Sequence, residues 1–409
     1  MDSSHRRLVL RGLCACALYA TARSALARVL PSQLTPLVSP GYKPTDTDER
    51  GIWQACDRLE EELAASNLLV RNDALKAYVR AVTGRLLGDT AADLRLYIVR
   101  NPEFNASMAP NGMTIVHTGL LARMRNEAQL AAVIGHESGH YLLRHSVRNW
   151  RDLKRKSATM AVLAIGGAAA TGGTGTDWYD IANAINTAIL LSLFSFSREM
   201  ESEADAYGLK LMAAAHYPPA AAAQVWAQLI DERKASAAAR KKQYKDKAMS
   251  IVSTHPPTAE RMTDLTQSAA ELERAAGNGE HFDNRRTEWL AAVAPVRSML
   301  LDEQIKLNDA GASLYLLGSL AQDGWDGTLR YYEGEAYRLR DEPGDGARAA
   351  DSYSAAIRFS DAPPEAYRAH GYAELKAGRT EEGRRALARY LELEPNAADA
   401  AMVHFTLGQ

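Results

Sequence analysis

Asn126-Glu127-Ala128-Gln129-Leu130-Ala131-Ala132-Val133-Ile134-Gly135-His136-Glu137-Ser138-Gly139-His140 is the stretch whose reading decides the fold. Its acidic first turn and the spacing of Leu130, Val133 and Ile134 predict an amphipathic helix with those three side chains toward the core. His136 and His140 are one helical turn apart, so both imidazoles leave one face and reach a single metal ion at about 2.0–2.1 Å. Glu137 points to a neighbouring part of the surface, where a carboxylate serves as a base and not as a ligand. A pentapeptide with two free positions also recurs by chance on solvated helix faces, so its meaning rests on what surrounds it.

A hydrolytic zinc site needs a third protein ligand and one open position. Ser197-Arg198-Glu199-Met200-Glu201-Ser202-Glu203-Ala204-Asp205-Ala206-Tyr207-Gly208 offers candidates. Glu201 and Asp205 share a helix face, so Glu201 can bind the metal while Asp205 accepts the outer N–H of a ligating histidine. Glu199 and Glu203 have the same spacing and compete for these roles. A solvated acidic helix is the plain alternative.

His136 to His140, followed by Ser197-Arg198-x-x-Glu201-x-x-Ala204-Asp205, resembles the CaaX prenyl protease and heat-shock HtpX-like zinc metallopeptidases. It resembles still more their soluble periplasmic branch, the BepA-like proteins with tetratricopeptide repeats. Asn105-Ala106, Pro110-Asn111-Gly112, Gly119-Leu120-Leu121 and Thr254-His255-Pro256-Pro257 with Arg261 extend the likeness over roughly positions 45 to 270. The resemblance implies one Zn2+ per chain held by His136, His140 and Glu201, with Glu137 as the base and Asp205 beside a ligand. It implies a gluzincin-like α+β protease domain with a small β-sheet, in a chain that is otherwise mainly α. It also brings His255 and Arg261 to the metal, as oxyanion donors or, for His255, as an occupant of the open position. A lone histidine before Pro-Pro is by itself a turn residue.

Other readings come from the residues themselves. His145, in Arg144-His145, reads as a cation closing the same helix at its C-terminus, without a catalytic role. Leu94 to Val99 and Met113 to His117 read as strands with a turn at Pro110-Asn111-Gly112 between them. An exposed edge of such a sheet can pair with an extended polypeptide, giving weakly selective cleavage. The plain reading is an ordinary structural hairpin, and the two are compatible.

Residues 1–27 read as an export signal: Arg6-Arg7 with Val9-Leu10-Arg11, a short apolar run, then Ala25-Leu26-Ala27 as a small-x-small cleavage site. The paired arginines resemble a twin-arginine signal and imply a periplasmic location. The chain has 48 basic and 50 acidic residues; without residues 1–27, which hold four Arg and one Asp, the balance is −5. Nothing there calls for nucleic acid. Cys14 and Cys16 leave with the signal and Cys56 stays alone, so no internal disulfide is expected. Ala158 to Ala170 and Ile181 to Phe196 fall short of a span of about 20 residues. They read as a buried helical pair joined by residues 171–176, with peripheral membrane contact as the alternative. The basic run from Arg233 to Lys247 reads as a solvated helix.

After about position 275 the pattern changes. Gly334-Glu335-Ala336-Tyr337 with Ala349, Tyr353 and Ala356 recurs as Gly371, Gly378, Leu387 and Pro395, close to the 34-residue pattern of tetratricopeptide repeats. The expected division is therefore a zinc metallopeptidase domain over 28–275 and an α-helical tetratricopeptide-repeat domain over 276–409. Stacked pairs of this kind form a groove for a polypeptide substrate or an envelope protein-assembly partner. Two functions fit: a zinc endopeptidase acting on misfolded or stalled envelope proteins, or a chaperone-like binder with a mostly closed metal site.

Overall fold

Asn126 caps the helix that the pentapeptide demands, its side chain accepting from the Gln129 N–H at 2.9 Å. The computed structural model describes residues 35–155, 196–244, 259–277 and 281–408. The export signal, both apolar stretches between the metal-facing helices apart from Phe196, the linker 171–176, the end of the basic run and His255 with its prolines lie outside the described residues.

Helices α1 (Thr47–Ala65) and α2 (Asp73–Leu87) precede β1 (Arg95–Val99), β2 (Ala106–Met108) and β3 (Met113–His117). Next come α3 (Thr118–Arg123) and α4 (Glu127–Leu142), then α5 (Arg198–Ala214), α6 (Ala220–Ala239) and α7 (Ala259–Ala276). The described residues are thus mainly α with one small sheet. The expected amphipathic character of α4 does not hold, because every one of its residues is buried. The sheet and α2 pack on one part of its surface and α5 and α6 on another. A helix enclosed on all sides has no need of a polar stripe.

The two expected strands do pair, but in parallel, Tyr97 opposite Ile115, so they are not a hairpin. The turn at Pro110-Asn111-Gly112 instead joins β3 to the three-residue β2, with Ser107 opposite Ile115 in antiparallel register. Strand order is β1-β3-β2. Residues 68–70 lie along the outer side of β1, where the Val70 N–H donates to the Ile98 carbonyl at 2.8 Å. Among the described residues no strand pairs with the outer side of β2.

The later helices are α8 (Arg286–Val293), α9 (Arg297–Lys306), α10 (Ala310–Leu320), α11 (Gly327–Arg340), α12 (Asp345–Ala356), α13 (Pro364–Lys376), α14 (Thr380–Leu393) and α15 (Ala400–Leu407). The largest core extends from Val38 to Leu316, so it includes α8, α9 and part of α10. Trp289 is fully enclosed there and donates from Nε1 to the Met124 carbonyl at 2.8 Å. Glu303 on α9 accepts from Arg100 Nε at 2.6 Å and from Thr118 Oγ1 at 2.5 Å. Beyond it, α11 packs on α12 and α13 on α14, with Gly334 facing Tyr353 and Gly371 facing Leu387 in matching places. No described helix is long and apolar enough to cross a membrane.

Candidate metal centre

Two helices meet here because two glycines let their backbones touch. A Cβ on Gly139 of α4 would lie 2.8 Å from the carbonyl oxygen of Ala204, and one on Gly208 of α5 would lie 2.9 Å from the His136 nitrogen. Real Cβ atoms do not approach so closely, so a side chain at either place would force the helices apart. Their neighbours in sequence, His136 and His140 on α4 and Glu201 and Asp205 on α5, thereby reach across a short gap. Ser197 caps α5, accepting from the Met200 N–H at 3.3 Å, and so sets where that helix begins.

His136 Nε2 lies 3.0 Å from His140 Nε2, and Glu201 Oε2 and Oε1 lie 3.5 and 3.6 Å from the two nitrogens in turn. All three side chains are buried. A tetrahedral ion with bonds of about 2.0–2.1 Å needs donors roughly 3.3–3.4 Å apart. The triangle therefore fits one zinc ion, and two imidazoles with a carboxylate are a donor set that zinc takes. When bound, such an ion acts as a Lewis acid on a carbonyl and on water.

The surrounding contacts orient these donors. Nδ1 of His136 is 2.8 Å from Asp205 Oδ1, so its N–H points away from the gap and Nε2 toward it. Burial alone would raise the Asp205 pKa, but Arg261 and His136 hold it well below the usual carboxylate range. Arg261 grips both Asp205 oxygens, Nε to Oδ2 at 2.6 Å and NH2 to Oδ1 at 2.7 Å, and its NH1 is 2.7 Å from Glu201 Oε2. Its guanidinium lies over the Trp226 ring, 4.3 Å from the centroid. Burial works against that charge, and the Asp205 carboxylate outweighs it, raising the Arg261 pKa.

Of the residues singled out in the sequence, His136, Glu137, His140, Glu201, Asp205 and Arg261 come together, and His255 lies outside the described residues. Glu199, one of the competing pair, is at the surface. Glu203, the other, reaches His145 Nε2 at 2.9 Å and Arg148 NH1 at 2.7 Å. The reading of His145 as a helix-closing cation needs correction. α4 ends at Leu142, Arg144 turns back with φ 55°, and His145 opens the helical residues 145–155 with no solvent exposure. Burial pushes its pKa down to about 4, and its Nδ1 lies 2.8 Å from Nδ1 of His140. Phe196 stacks on the His140 ring, with centroids 3.8 Å apart. The signal for His145 was its position five residues after His140, readable only with the turn at Arg144.

Glu137 is buried and, with His136, borders a cavity of about 370 Å³. Phe104 and Ala106 form part of the same wall, which brings the unpaired side of β2 to the cavity. Ser138 Oγ at 3.7 Å from Met108 Sδ ties that strand to α4. A carboxylate base, a Lewis-acid site and a strand edge together suit attack of water on a peptide carbonyl.

Comparisons with known proteins agree. Residues 71–269 match the model of Peptidase family M48. Mitochondrial metalloendopeptidase OMA1 of Schizosaccharomyces pombe is 32% identical over 195 residues, 46% of this chain and 52% of that protein. Beta-barrel assembly-enhancing protease of Escherichia coli K12 is 24% identical over 263 residues, 62% of this chain and 52% of that one. Mitochondrial metalloendopeptidase OMA1 of Arabidopsis thaliana is 35% identical over 133 residues, 32% of this chain and 25% of its own. The chain spans about half the length of the first two relatives. Residues 71–269, which carry both metal-facing helices, thus form a Peptidase M48 domain within this chain.

Proposed function

We propose that this chain is a zinc-dependent endopeptidase of the cell envelope that hydrolyses peptide bonds in misfolded or stalled proteins. The observation that carries this reading is the buried triangle of His136, His140 and Glu201 with Glu137 beside a cavity that the unpaired side of β2 borders. In it, Glu137 takes the proton of the attacking water and returns it to the leaving amine. An extended substrate lies along β2 through main-chain hydrogen bonds. His255 belongs to this reading as an oxyanion donor or as an occupant of the open position.

The reading also includes export by residues 1–27 to the periplasm, a gluzincin-like protease domain over 28–275, and tetratricopeptide-like helical pairs within 276–409. The matching places of Gly334 and Gly371 in their helical pairs support the repeats. These would hold a polypeptide or an envelope assembly partner, a role in keeping with the name of the Escherichia coli relative. The test is digestion of unfolded casein by the zinc-loaded chain beside its Glu137→Gln variant. Cleavage by the first and loss in the second, at equal zinc content, is the expected result. Equal cleavage by both would remove Glu137 from the mechanism.

A further inference from the structure

The cavity beside Glu137 runs well past the metal-facing residues. Much of its wall is apolar, with Val133 from α4, Leu209 and Met212 from α5, Val225 and Leu229 from α6, and Leu265 from α7, while Glu103, Arg233, Arg240 and Asp309 also border it. Gln304 of α9, Leu307 just after it and Ala312 of α10 also line it, and they lie beyond the span of the family match. Of the three arginines that border it, Arg123 is buried, Arg233 half-buried and Arg240 exposed; the guanidinium of Arg123 has five N–H donors. Glu232 takes two of them at 2.8 and 2.6 Å, Gln304 Oε1 a third at 2.8 Å, and the carbonyls of Gly119 and Pro102 the rest at 2.7 and 3.3 Å. No N–H of Arg123 is left for a substrate carboxylate, and the Glu232 charge is offset in place.

We propose that this cavity is the side-chain subsite of the enzyme and takes a large apolar residue, Leu, Met or Phe, next to the scissile bond. The proposal rests on the peptidase reading above. Against Val133, Leu209, Met212, Val225, Leu229 and Leu265 a polar or charged side chain would lose its water and gain no hydrogen bond, which costs more than a missing apolar contact. A small side chain would leave the walls unfilled. The C-terminal helices thus shape substrate choice at the metal centre itself.

The test uses the full zinc-loaded chain and two short quenched peptides of Ala, Ser and Gly that differ only in a central Phe or Ala. The expected kcat/KM ratio favours Phe by at least about tenfold. Leu229→Trp fills the cavity and should lower that ratio by about tenfold or more. A wild-type ratio near one overturns the proposal, as does an unchanged ratio in a folded, zinc-containing Leu229→Trp chain. Should neither peptide be cleaved, the peptidase reading fails separately. Fluorescence anisotropy of the same peptides with the metal-free chain then decides the cavity: binding of the Phe peptide about tenfold tighter supports it, and equal affinities overturn it.

Discussion

Nδ1 of His140 lies 2.8 Å from Nδ1 of His145, whose Nε2 in turn lies 2.9 Å from Glu203 Oε2. A carboxylate only accepts, so Nε2 of His145 carries the proton. Burial keeps His145 neutral, leaving its Nδ1 bare to accept from Nδ1–H of His140. Nε2 of His140 then faces Glu201 and His136 with its lone pair. Asp205 does the same for His136 directly.

His145→Phe removes that acceptor while filling similar space. Zinc affinity should fall on the order of tenfold to a hundredfold, the range for partners that orient a ligating histidine. His145→Gln should recover part of it, since an amide oxygen also accepts. Competition against a chelator measures both. Wild-type affinity in the Phe variant would mean that His145 only fills space.

Glu201 and Glu203 are two residues apart and differ in what they touch. Glu201→Gln should abolish stoichiometric zinc binding, because an amide is a poor replacement for an anionic ligand. Glu203→Gln acts only through His145 and should cost about tenfold or less. Zinc content by elemental analysis after desalting separates them, and the opposite order would move the ligand to Glu203.

Helix contact at Gly139 gives a third expectation. Gly139→Ala puts a Cβ 2.8 Å from Ala204 O, so α4 and α5 must separate. The cost should be about 1–3 kcal/mol of stability, accompanied by weaker zinc binding. Gly84 on α2 is the control, because a Cβ there meets nothing within 4 Å. Gly84→Ala should raise stability by roughly 0.5–1 kcal/mol and leave zinc binding alone. Thermal melts of both variants with and without zinc would show it; a harmless Gly139→Ala would refute the tight contact.

What was legible in the sequence is what depends on spacing along one helix. His136, Glu137 and His140 share a turn, as do Glu201 and Asp205, so each pair's relation followed from helical geometry alone. The choice between Glu201 and Glu203 did not, because it depends on how α5 is rotated against α4, which the glycine contacts decide. The sheet was misread as a hairpin because β2, at three residues, is too short to leave a period-2 pattern. His145 was misread because Leu143-Arg144 has no glycine or asparagine to announce the turn at φ 55°. The cavity wall from α9 and α10 comes from distant docking through Glu303 and Trp289, for which no local pattern exists.

Arg261 can be tested between two roles. As it stands, its guanidinium bridges Asp205 and Glu201, two carboxylates buried within one small space, and rests on Trp226. Removing it by Arg261→Gln would leave those anions without their cation, and breaking a buried ion pair from one side costs about 3–5 kcal/mol. The loss should be largest in the metal-free chain, because zinc at Glu201 would replace part of the missing positive charge. The variant should therefore melt lower than wild type without zinc and gain more from zinc addition. Arg261→Lys should recover only part of the metal-free stability, since an ammonium cannot span both Asp205 oxygens and Glu201 in one plane. Were Arg261 instead a donor to the developing oxyanion, the Gln variant would keep its metal-free melting temperature and lose on the order of a hundredfold in turnover. Melting curves with and without zinc, beside casein turnover, separate the two, and an unchanged metal-free melt would overturn the bridging role.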